Sequence, residues 1–291
     1  LADSFKEEVE KWGGLGVLYG LYRADPWANK DYTTGLTGVN AIRAYNLAQH
    51  YVLEHSRFGI PMLMSSECPH GHQALDGYLL PVNLGMGAAW NPKLVEEGFK
   101  VVGEQQKEMG VDFALVSMLD ILRDPRWGRG QETYSEDPYL TARLGVAYIK
   151  GLQGDGKYLK VAACAKHYAV HSGPEAIRHE FDAEVSRKDL WETYLPAFEA
   201  AVKEGEVEAV MGAYNRTLGE PCCGSDLLIR KILRGKWGFQ GHFVSDCWAI
   251  SDFHLHHHIT TTAPESAALA IKMGCDVNCG NTYLHLLRAL E

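Results

Sequence analysis

The residues best suited to chemistry lie in the segment 241–248, which has the sequence Gly-His-Phe-Val-Ser-Asp-Cys-Trp. Its apolar run predicts a short buried strand that is followed by Asp246, Cys247 and Trp248. Carboxylates are rarely buried without a partner, and parallel barrels carry their catalytic residues at the C-terminal ends of strands. Asp246 is therefore a candidate catalytic residue. The alternative is an acid that caps the next helix or binds a loop, and the rest of the chain favours catalysis.

Polar side chains also follow other predicted strands, at the point where each strand ends. These residues are Glu67 after 60–64, Arg129 in the segment after 111–117, Lys166 and His167 after 161–165, and Tyr214 after 209–213. Because the C-terminal ends of parallel barrel strands lie on one face, we expect these side chains to surround one site with Asp246. Acids and cations can hydrogen-bond sugar hydroxyls, and Trp or Tyr can pack against the apolar face of a sugar ring. The mixture predicts an uncharged, hydroxyl-rich ligand such as an oligosaccharide.

Several of these residues also have a purely structural interpretation. Arg126 and Arg129 could form salt bridges with Glu132 and Glu136, and Lys166 beside His167 could start a helix or lie in a loop. Polar clusters at one strand end after another are harder to explain in that way. The pattern as a whole therefore favours a ligand site.

The chain alternates between predicted strands and helices. Apolar runs predict strands at 14–21, 60–64, 111–117, 161–166, 208–214, 243–246 and 275–279, and helical spacing predicts helices at 37–55, 93–109, 135–151, 186–205, 227–234, 264–273 and 283–291. This alternation predicts an α/β fold, and the length favours a (β/α)8 TIM-barrel-like architecture over an open doubly wound sheet. No Gly-rich phosphate fingerprint follows a predicted strand, which argues against nucleotide binding.

The composition of the 291-residue chain excludes several classes of protein. Hydrophobic residues make up 46% of it, which excludes general disorder. The net charge is −9 without a basic run, so no nucleic-acid partner is expected, and no apolar stretch approaches the roughly 20 residues of a membrane helix. The seven cysteines leave at least one unpaired and favour a reducing, cytoplasmic compartment. No cysteine pair has the spacing of a zinc finger, and no metal site is expected.

Four longer motifs resemble the signature of glycoside hydrolase family 3. They are Arg-Asp-Pro-Arg-Trp-Gly-Arg-Gly-Gln-Glu-Thr-Tyr-Ser-Glu-Asp-Pro at 123–138, Lys-His-Tyr at 166–168, Met-Gly-Ala-Tyr-Asn at 211–215, and Gly-Phe-Gln-Gly-His-Phe-Val-Ser-Asp at 238–246. The match runs from about Gly59 to the C-terminus, in the order and with the spacing of the family. The resemblance implies that residues 1–291 form the N-terminal (β/α) barrel domain of a retaining exo-β-glycosidase, which needs no metal or organic cofactor.

The resemblance also implies a role for each candidate residue. Asp246 matches the catalytic nucleophile, which forms a covalent glycosyl-enzyme. The positions that match sugar-binding residues of the family are Glu67, Arg129, Lys166, His167, Met211 and Tyr214, with Trp248 as an aromatic wall. The nucleophile must be ionised, and we expect the charges of Lys166 and Arg129 to keep the pKa of Asp246 low.

The second carboxyl group of a retaining mechanism is not assigned to this chain. Members of the family usually take this acid/base Glu from an α/β sandwich domain after the barrel, so we expect a second domain or a partner chain to supply it. Glu132, Glu136 and Glu180 are available, but the first two belong to the Arg-rich motif and are expected to be structural. One subgroup uses an Asp–His pair instead. His171 and Asp182 are present here, but the Pro-Gly-His-Gly pattern of that subgroup is not.

The substrate keeps several alternatives. We expect hydrolysis of the non-reducing terminal β-D-glucosyl residue of oligosaccharides or glycosides. A β-D-xylosidase is the alternative, because Glu67 is longer than the Asp common in the family's β-glucosidases and could crowd out the hydroxymethyl group that xylose lacks. A non-catalytic sugar-binding barrel and Schiff-base chemistry at Lys166 are further alternatives. A homo-oligomer is also left open.

Two further features come from the C-terminal part of the chain. His254, His256, His257 and His258 could bind a metal near Asp252 or lie in a solvated loop, and their spacing favours the loop. The chain stops on a predicted helix without a cap or a further strand. We therefore expect the barrel to be incomplete at its C-terminal end.

Overall fold

The protein is described by a computed structural model that covers residues 1–290; Glu291, the last residue of the predicted helix 283–291, lies outside the described residues. The α-helices are α1 (Asp3–Trp12), α2 (Gly38–His55), α3 (Asn83–Ala88), α4 (Pro92–Glu108), α5 (Pro138–Gln153), α6 (Arg187–Asp189), α7 (Pro196–Lys203), α8 (Asp252–Leu255) and α9 (Ala263–Met273). The strands are β1 (Val17–Tyr19), β2 (Leu63–Ser66), β3 (Phe113–Ala114), β4 (Ala162–Tyr168), β5 (Asp182–Ala183), β6 (Ala209–Gly212), β7 (Arg216–Thr217), β8 (Glu220–Pro221) and β9 (His242–Ser245). None of the helices in this range combines the length and the apolar character needed to cross a bilayer.

The described residues form two compact units. The first contains Leu1–Leu80, Glu97–Leu115 and Gly151–Ala162, and the second contains Pro81–Glu96, Val116–Lys150 and the chain from Ala163 onward. In the first unit, β1, β2 and β3 pair in parallel and in chain order.

The second unit is built on β4, β6 and β9, which also pair in parallel and in chain order. Every residue of β6 is buried, as expected for a parallel strand that is covered on both faces. Gly212 of β6 lies opposite Ser245 of β9, so both strands end at the same level. Tyr214 and Asp246, which follow these strands, are thereby delivered to the same edge of the sheet.

Strand order follows chain order in both units. An open doubly wound sheet would reverse its strand order at a switch point, and neither unit shows such a reversal within residues 1–290. The fold is therefore of the α/β class with barrel-like connections.

The predicted helix at 186–205 is interrupted in the structure. Pro196 has no N–H to donate, so the regular bonding pattern fails around it. The N–H of Leu195 instead bonds the carbonyl of Leu190, five residues earlier, at 3.0 Å. The chain passes through a π-helical segment, Leu190–Tyr194, before α7 begins.

Other predictions differ from the structure in detail. The helix predicted at 227–234 is a π-helix over Asp226–Lys236. The strand predicted at 275–279 is reduced to a single parallel bridge between Val277 and Val244. The described part of the last predicted helix consists of two 3₁₀ turns, Thr282–His285 and Leu287–Leu290. The small sheet of β5, β7 and β8 was not predicted, because strands of two residues are too short to show alternation.

Candidate active site

Asp246 lies directly after β9, and its side chain is 10% exposed. Its backbone N–H donates to the carbonyl of Gly212 at 3.2 Å, which fixes the start of the loop. One carboxylate oxygen, Oδ1, accepts the N–H of Cys247 at 2.7 Å, and Tyr214 also hydrogen-bonds the carboxylate. The other oxygen, Oδ2, is buried without a hydrogen-bond partner among residues 1–290. The carboxylate is thus held in one orientation while one oxygen keeps its lone pairs available.

The ring of His167 is oriented by a second buried carboxylate, Asp120. Asp120 Oδ2 accepts both the backbone N–H and the Nδ1–H of His167, each at 2.9 Å. The other ring nitrogen, Nε2, lies 3.0 Å from Arg129 Nη1. Because a guanidinium can only donate, Nε2 accepts this bond and carries no proton. His167 is therefore neutral, and its pKa is lowered well below the usual value, first by burial and then by the charge of Arg129.

The neutral ring explains why Asp246 Oδ2 has no hydrogen bond. His167 Nε2 lies 3.3 Å from this oxygen. In the tautomer fixed by Asp120 both atoms are acceptors, so their proximity is not a hydrogen bond. The lone pairs of this oxygen are therefore not used in a hydrogen bond within residues 1–290.

Arg129 is held in place by a bidentate ion pair with Glu132. The guanidinium Nε and Nη2 donate to the two carboxylate oxygens at 2.8 Å each. Burial alone would lower the pKa of Arg129, but the hydrogen bond and charge of Glu132 raise it overall. The sequence interpretation of a salt bridge to Glu132 is therefore right for Arg129. It is wrong for Arg126, which pairs at the surface with Asp124 at 2.5 Å.

The electrostatics of Asp246 differ in part from the expectation. The charges of Arg129 and Lys166 do lower the pKa of this carboxyl group, as predicted. Burial acts in the opposite direction and is the larger effect, so the pKa of Asp246 is raised above its usual value. The two cations therefore limit the cost of burying this charge without cancelling it.

Lys166 and His167 belong to β4, so their backbones are fixed by sheet bonds. The N–H of Lys166 donates to Ser117 at 2.7 Å, and its carbonyl accepts the N–H of Leu119 at 2.6 Å. The side chain of Lys166 is almost completely buried. The peptide bonds Lys166–His167 and Tyr168–Ala169 are cis.

Met211 and Trp248 occupy different environments near Asp246 in the chain. Met211 is buried in β6 opposite Val244. Trp248 has a positive φ of 70° and is 54% exposed. Its backbone N–H donates to Cys279 at 2.7 Å. The exposed indole of Trp248 is suited to the predicted aromatic wall, whereas the side chain of Met211 is enclosed by its neighbours.

Tyr214 connects the carboxylate to a second group of polar residues. Burial, and then the charge of Asp246, raise the pKa of the Tyr214 hydroxyl, so it stays protonated and donates. The His179 ring lies 4.3 Å from the Tyr214 ring, and the Arg178 guanidinium lies 5.5 Å from it. His179 Nδ1 also contacts Asp252 at 2.8 Å. These residues form a polar group beside Asp246.

Glu67 belongs to the first unit, where it follows β2. The hydroxyl of Tyr19 donates to Glu67 at 2.9 Å, and Arg23 donates to the Tyr19 oxygen at 2.5 Å. Arg23 also pairs with Asp25 at 2.6 Å. The carboxylate predicted to bind substrate is therefore held by a chain of hydrogen bonds from the region of β1.

Sequence reasoning missed Asp120, Tyr19 and the pairing of two cysteines. Asp120 is a single acid within the apolar run Met118–Ile121, and an acid at such a position is itself a signal of a buried polar contact. Tyr19 ends β1 as Glu67 follows β2, so its position could have been found by treating the first strand like the others. The structure joins Cys247 to Cys279 in a disulfide, a pairing that spacing alone does not fix.

The other candidate acids and histidines have varied surroundings. Glu136 and Glu180 are exposed, and Glu132 is engaged by Arg129. His171 bonds Asn215 at 3.0 Å, and Asp182 accepts the N–H of Gly219 at 3.0 Å.

The histidine cluster at 254–258 is not uniformly solvated. His254 bonds Ser266 at 2.9 Å, and His257 is buried. In the part of the chain that the structure describes, no group of three or more metal-binding side chains is arranged to hold an ion.

Comparison with known proteins identifies the family. The sequence profile of the glycosyl hydrolase family 3 N terminal domain matches residues 32–290. The chain is 44% identical over 239 residues to a xylan 1,4-beta-xylosidase of Xylanibacter ruminicola. The matched region covers 76% of this chain and 28% of that protein. The chain belongs to glycoside hydrolase family 3, which confirms the resemblance inferred from the motifs.

Solved structures show the same fold. A β-glucosidase from Erythrobacter marinus matches with a TM-score of 0.87 and 28% identity, over 98% of this chain and 37% of that one. A family 3 exo-β-xylosidase in complex with a xylobiose aziridine probe matches with a TM-score of 0.76 and 30% identity, over 80% of this chain and 33% of that one. These likenesses confirm the TIM-barrel-like class. The chain spans only 28% to 37% of the length of these three proteins.

Proposed function

We propose that the protein is a retaining exo-β-glycosidase in which Asp246 is the nucleophile. The observation that supports this most is the Asp246 carboxylate, which is buried and oriented through Oδ1 while Oδ2 has no hydrogen bond. Oδ2 attacks the anomeric carbon of the terminal sugar, the bond to the leaving oxygen breaks, and a covalent glycosyl-enzyme forms. Water then releases the sugar with its configuration retained.

Neighbouring side chains have distinct parts in this proposal. Arg129, Lys166 and His167 bind hydroxyl groups of the terminal sugar. The Asp246 carboxylate stabilises the oxocarbenium-like transition state by its charge. The leaving oxygen is protonated by a carboxylic acid from a second domain or a partner chain, about 5–5.5 Å from the nucleophile in a retaining enzyme.

Replacement of Asp246 tests the proposed nucleophile. We expect Asp246→Asn in the full-length gene product to lower kcat for an aryl β-glycoside by several orders of magnitude, because an amide cannot attack the anomeric carbon. The matched control is Asp155→Asn, since Asp155 is exposed in a loop of the first unit. A 2-deoxy-2-fluoro glycoside should label the Asp246 peptide in mass spectrometry. Turnover by Asp246→Asn at the wild-type rate, or a label on another residue, would exclude this mechanism.

We propose xylose as the preferred terminal sugar. The relative from Xylanibacter ruminicola is named a xylosidase and is 44% identical to this chain. Glu67 is also longer than the Asp that is common at this position in the family's β-glucosidases. Glucose, which the sequence analysis put first, is the second candidate because the fold matches a β-glucosidase over 98% of the chain. The ratio of kcat/KM for 4-nitrophenyl β-D-xyloside and β-D-glucoside decides between them. Binding of either sugar without hydrolysis of any aryl glycoside would instead support the non-catalytic alternative.

A further inference from the structure

The disulfide between Cys247 and Cys279 lies immediately beside the proposed nucleophile. Its two cysteines are 32 positions apart in the sequence. Cys247 follows Asp246 directly, and its backbone N–H is the group that bonds Asp246 Oδ1 at 2.7 Å. A displacement of Cys247 would therefore turn the carboxylate as well.

The segment that contains Cys279 supports the end of β9 through hydrogen bonds. Ser245 Oγ accepts the N–H of Cys279 at 3.0 Å and the side-chain amide of Asn278 at 3.3 Å. The N–H of Ser245 donates to Val277 at 2.9 Å, and that of Trp248 donates to Cys279 at 2.7 Å. The residues on both sides of Asp246 are thus bound to 277–279.

This supporting segment, 277–279, contains little regular secondary structure. Its sheet contact is the single bridge between Val277 and Val244. The 3₁₀ turn that follows, Thr282–His285, has only four residues. The disulfide adds a covalent bond to the hydrogen bonds that hold this segment against the end of β9.

The disulfide is also more accessible than the thiols of the other five cysteines. Cys247 and Cys279 are both half-buried, whereas the five cysteines outside the disulfide, Cys68, Cys164, Cys222, Cys223 and Cys275, are buried. A small dithiol can therefore reach this bond while the other sulfur atoms stay protected. Reduction breaks the S–S bond with two electrons and two protons from the dithiol, which becomes a cyclic disulfide.

We propose that the Cys247–Cys279 disulfide positions the Asp246 carboxylate and makes turnover sensitive to dithiols. The inference rests on the proposed role of Asp246. Because an error of about 1 Å in a reacting group can cost on the order of 100-fold in rate, reduction should lower kcat by about 10- to 100-fold. KM should change little, since Arg129, Lys166 and His167 are held by contacts that do not include the disulfide.

The first test counts thiols in the full-length gene product and follows the peptides of this chain. Iodoacetamide in denaturant without reductant should modify the five free cysteines and leave the Cys247 and Cys279 peptides linked. After dithiothreitol, all seven should be modified. Modification of all seven without reductant would overturn the proposal. This readout does not depend on turnover, so it stands apart from the test of the nucleophile.

The second test measures function with reversible reduction. Dithiothreitol should lower kcat without a comparable change in KM, and reoxidation should restore it. The Cys247→Ser/Cys279→Ser double variant should show the lower kcat with or without dithiothreitol, and its circular dichroism spectrum reports whether it is folded. Unchanged kcat in wild-type protein whose disulfide has been reduced would refute the positioning role. The double variant has no disulfide to reduce. A further loss of kcat when dithiothreitol is added to it would therefore also refute the positioning role.

Discussion

Asp246 experiences two opposing influences on its pKa, and one of them can be removed. Burial raises the pKa of this carboxyl group, while the charges of Arg129 and Lys166 lower it. In its proposed role as nucleophile Asp246 must be ionised, so we expect activity to be lost as the pH falls through its pKa. Removing the charge of Lys166 raises that pKa, and the acid limb of the profile must then move to higher pH.

The Lys166→Met variant tests this sign. We expect the acid limb of kcat/KM for an aryl β-glycoside to shift to higher pH, whatever the loss in absolute rate. Lys150→Met, which removes an exposed lysine at the end of α5, is the control and should leave the limb in place. An acid limb that stays in place or moves to lower pH in Lys166→Met would contradict the electrostatic account.

Asp120 is expected to matter through His167. In Asp120→Asn the negative charge of the group that accepts both N–H groups is lost, so the Nδ1–H tautomer of the ring is held less strongly. We expect kcat/KM to fall by about 10- to 100-fold, as for other small errors of position.

Asp112→Asn is the control for Asp120, because Asp112 is an exposed aspartate that also accepts a backbone N–H, that of Met64 at 2.8 Å. It should change the melting temperature more than the activity. Equal losses of activity in both variants would show that Asp120 has no specific role at the site.

The site residues divide into those that the sequence could reveal and those that it could not. The sequence predicted Asp246, Arg129, Lys166, His167 and Tyr214. In the second unit the structure places their side chains close enough to interact through charges and hydrogen bonds. Their polarity at strand ends was visible in the sequence. The partner of His167, 47 positions away in the chain, was not, because a pairing at that distance depends on the register of strands.

At the scale of elements, the end of β6 is packed against β9 with almost no spare room. A Cβ at Gly212 would lie 2.6 Å from Cys223 Sγ and 2.8 Å from the ring of Phe243. Gly212→Ala should therefore destabilise the protein by about 1–3 kcal/mol through overpacking. It should also lower activity, since Gly212 bonds the backbone of Asp246.

Thermal unfolding and kinetics of the same preparation check the Gly212 prediction. Gly16→Ala is the control, because a Cβ there would have no neighbour within 4 Å and the backbone has no positive φ. A Gly212→Ala protein that melts like the wild type would show that the strand ends can separate without cost.

The elements themselves were predicted where their sequence signals are long. Apolar runs placed the six sheet strands and helical spacing placed α2, α4, α5 and α9, although most boundaries shifted by one to three residues. The two π-helical segments were predicted only as helices, because an apolar pattern over one to three turns does not distinguish i→i+5 from i→i+4 bonding. The strand at 275–279 was overpredicted because alternation over only five residues does not determine how many ladder bonds form.

At the scale of the whole protein, the acid/base group is expected to come from outside these residues. Azide rescues a retaining glycosidase that lacks its acid/base, because the small anion attacks the glycosyl-enzyme without proton transfer. We expect Glu132→Gln, Glu136→Gln and Glu180→Gln each to show no azide rescue.

Glu132→Gln should still lose activity, through its effect on Arg129, and so distinguishes structural loss from loss of the acid/base. Rescue of any of the three, with formation of a glycosyl azide, would assign that group to this chain. The family could be predicted from the motifs, but the two compact units could not, since no change of composition marks their boundaries.

Trp248 offers a practical consequence. Its indole is more than half exposed, and the residue lies two positions after Asp246 in the chain. Its backbone N–H is hydrogen-bonded to Cys279. A ring in that situation emits at long wavelength in water and shifts to the blue when a sugar covers it. The difference in emission between the wild type and Trp248→Phe would then give an optical titration of ligand occupancy in the absence of any turnover.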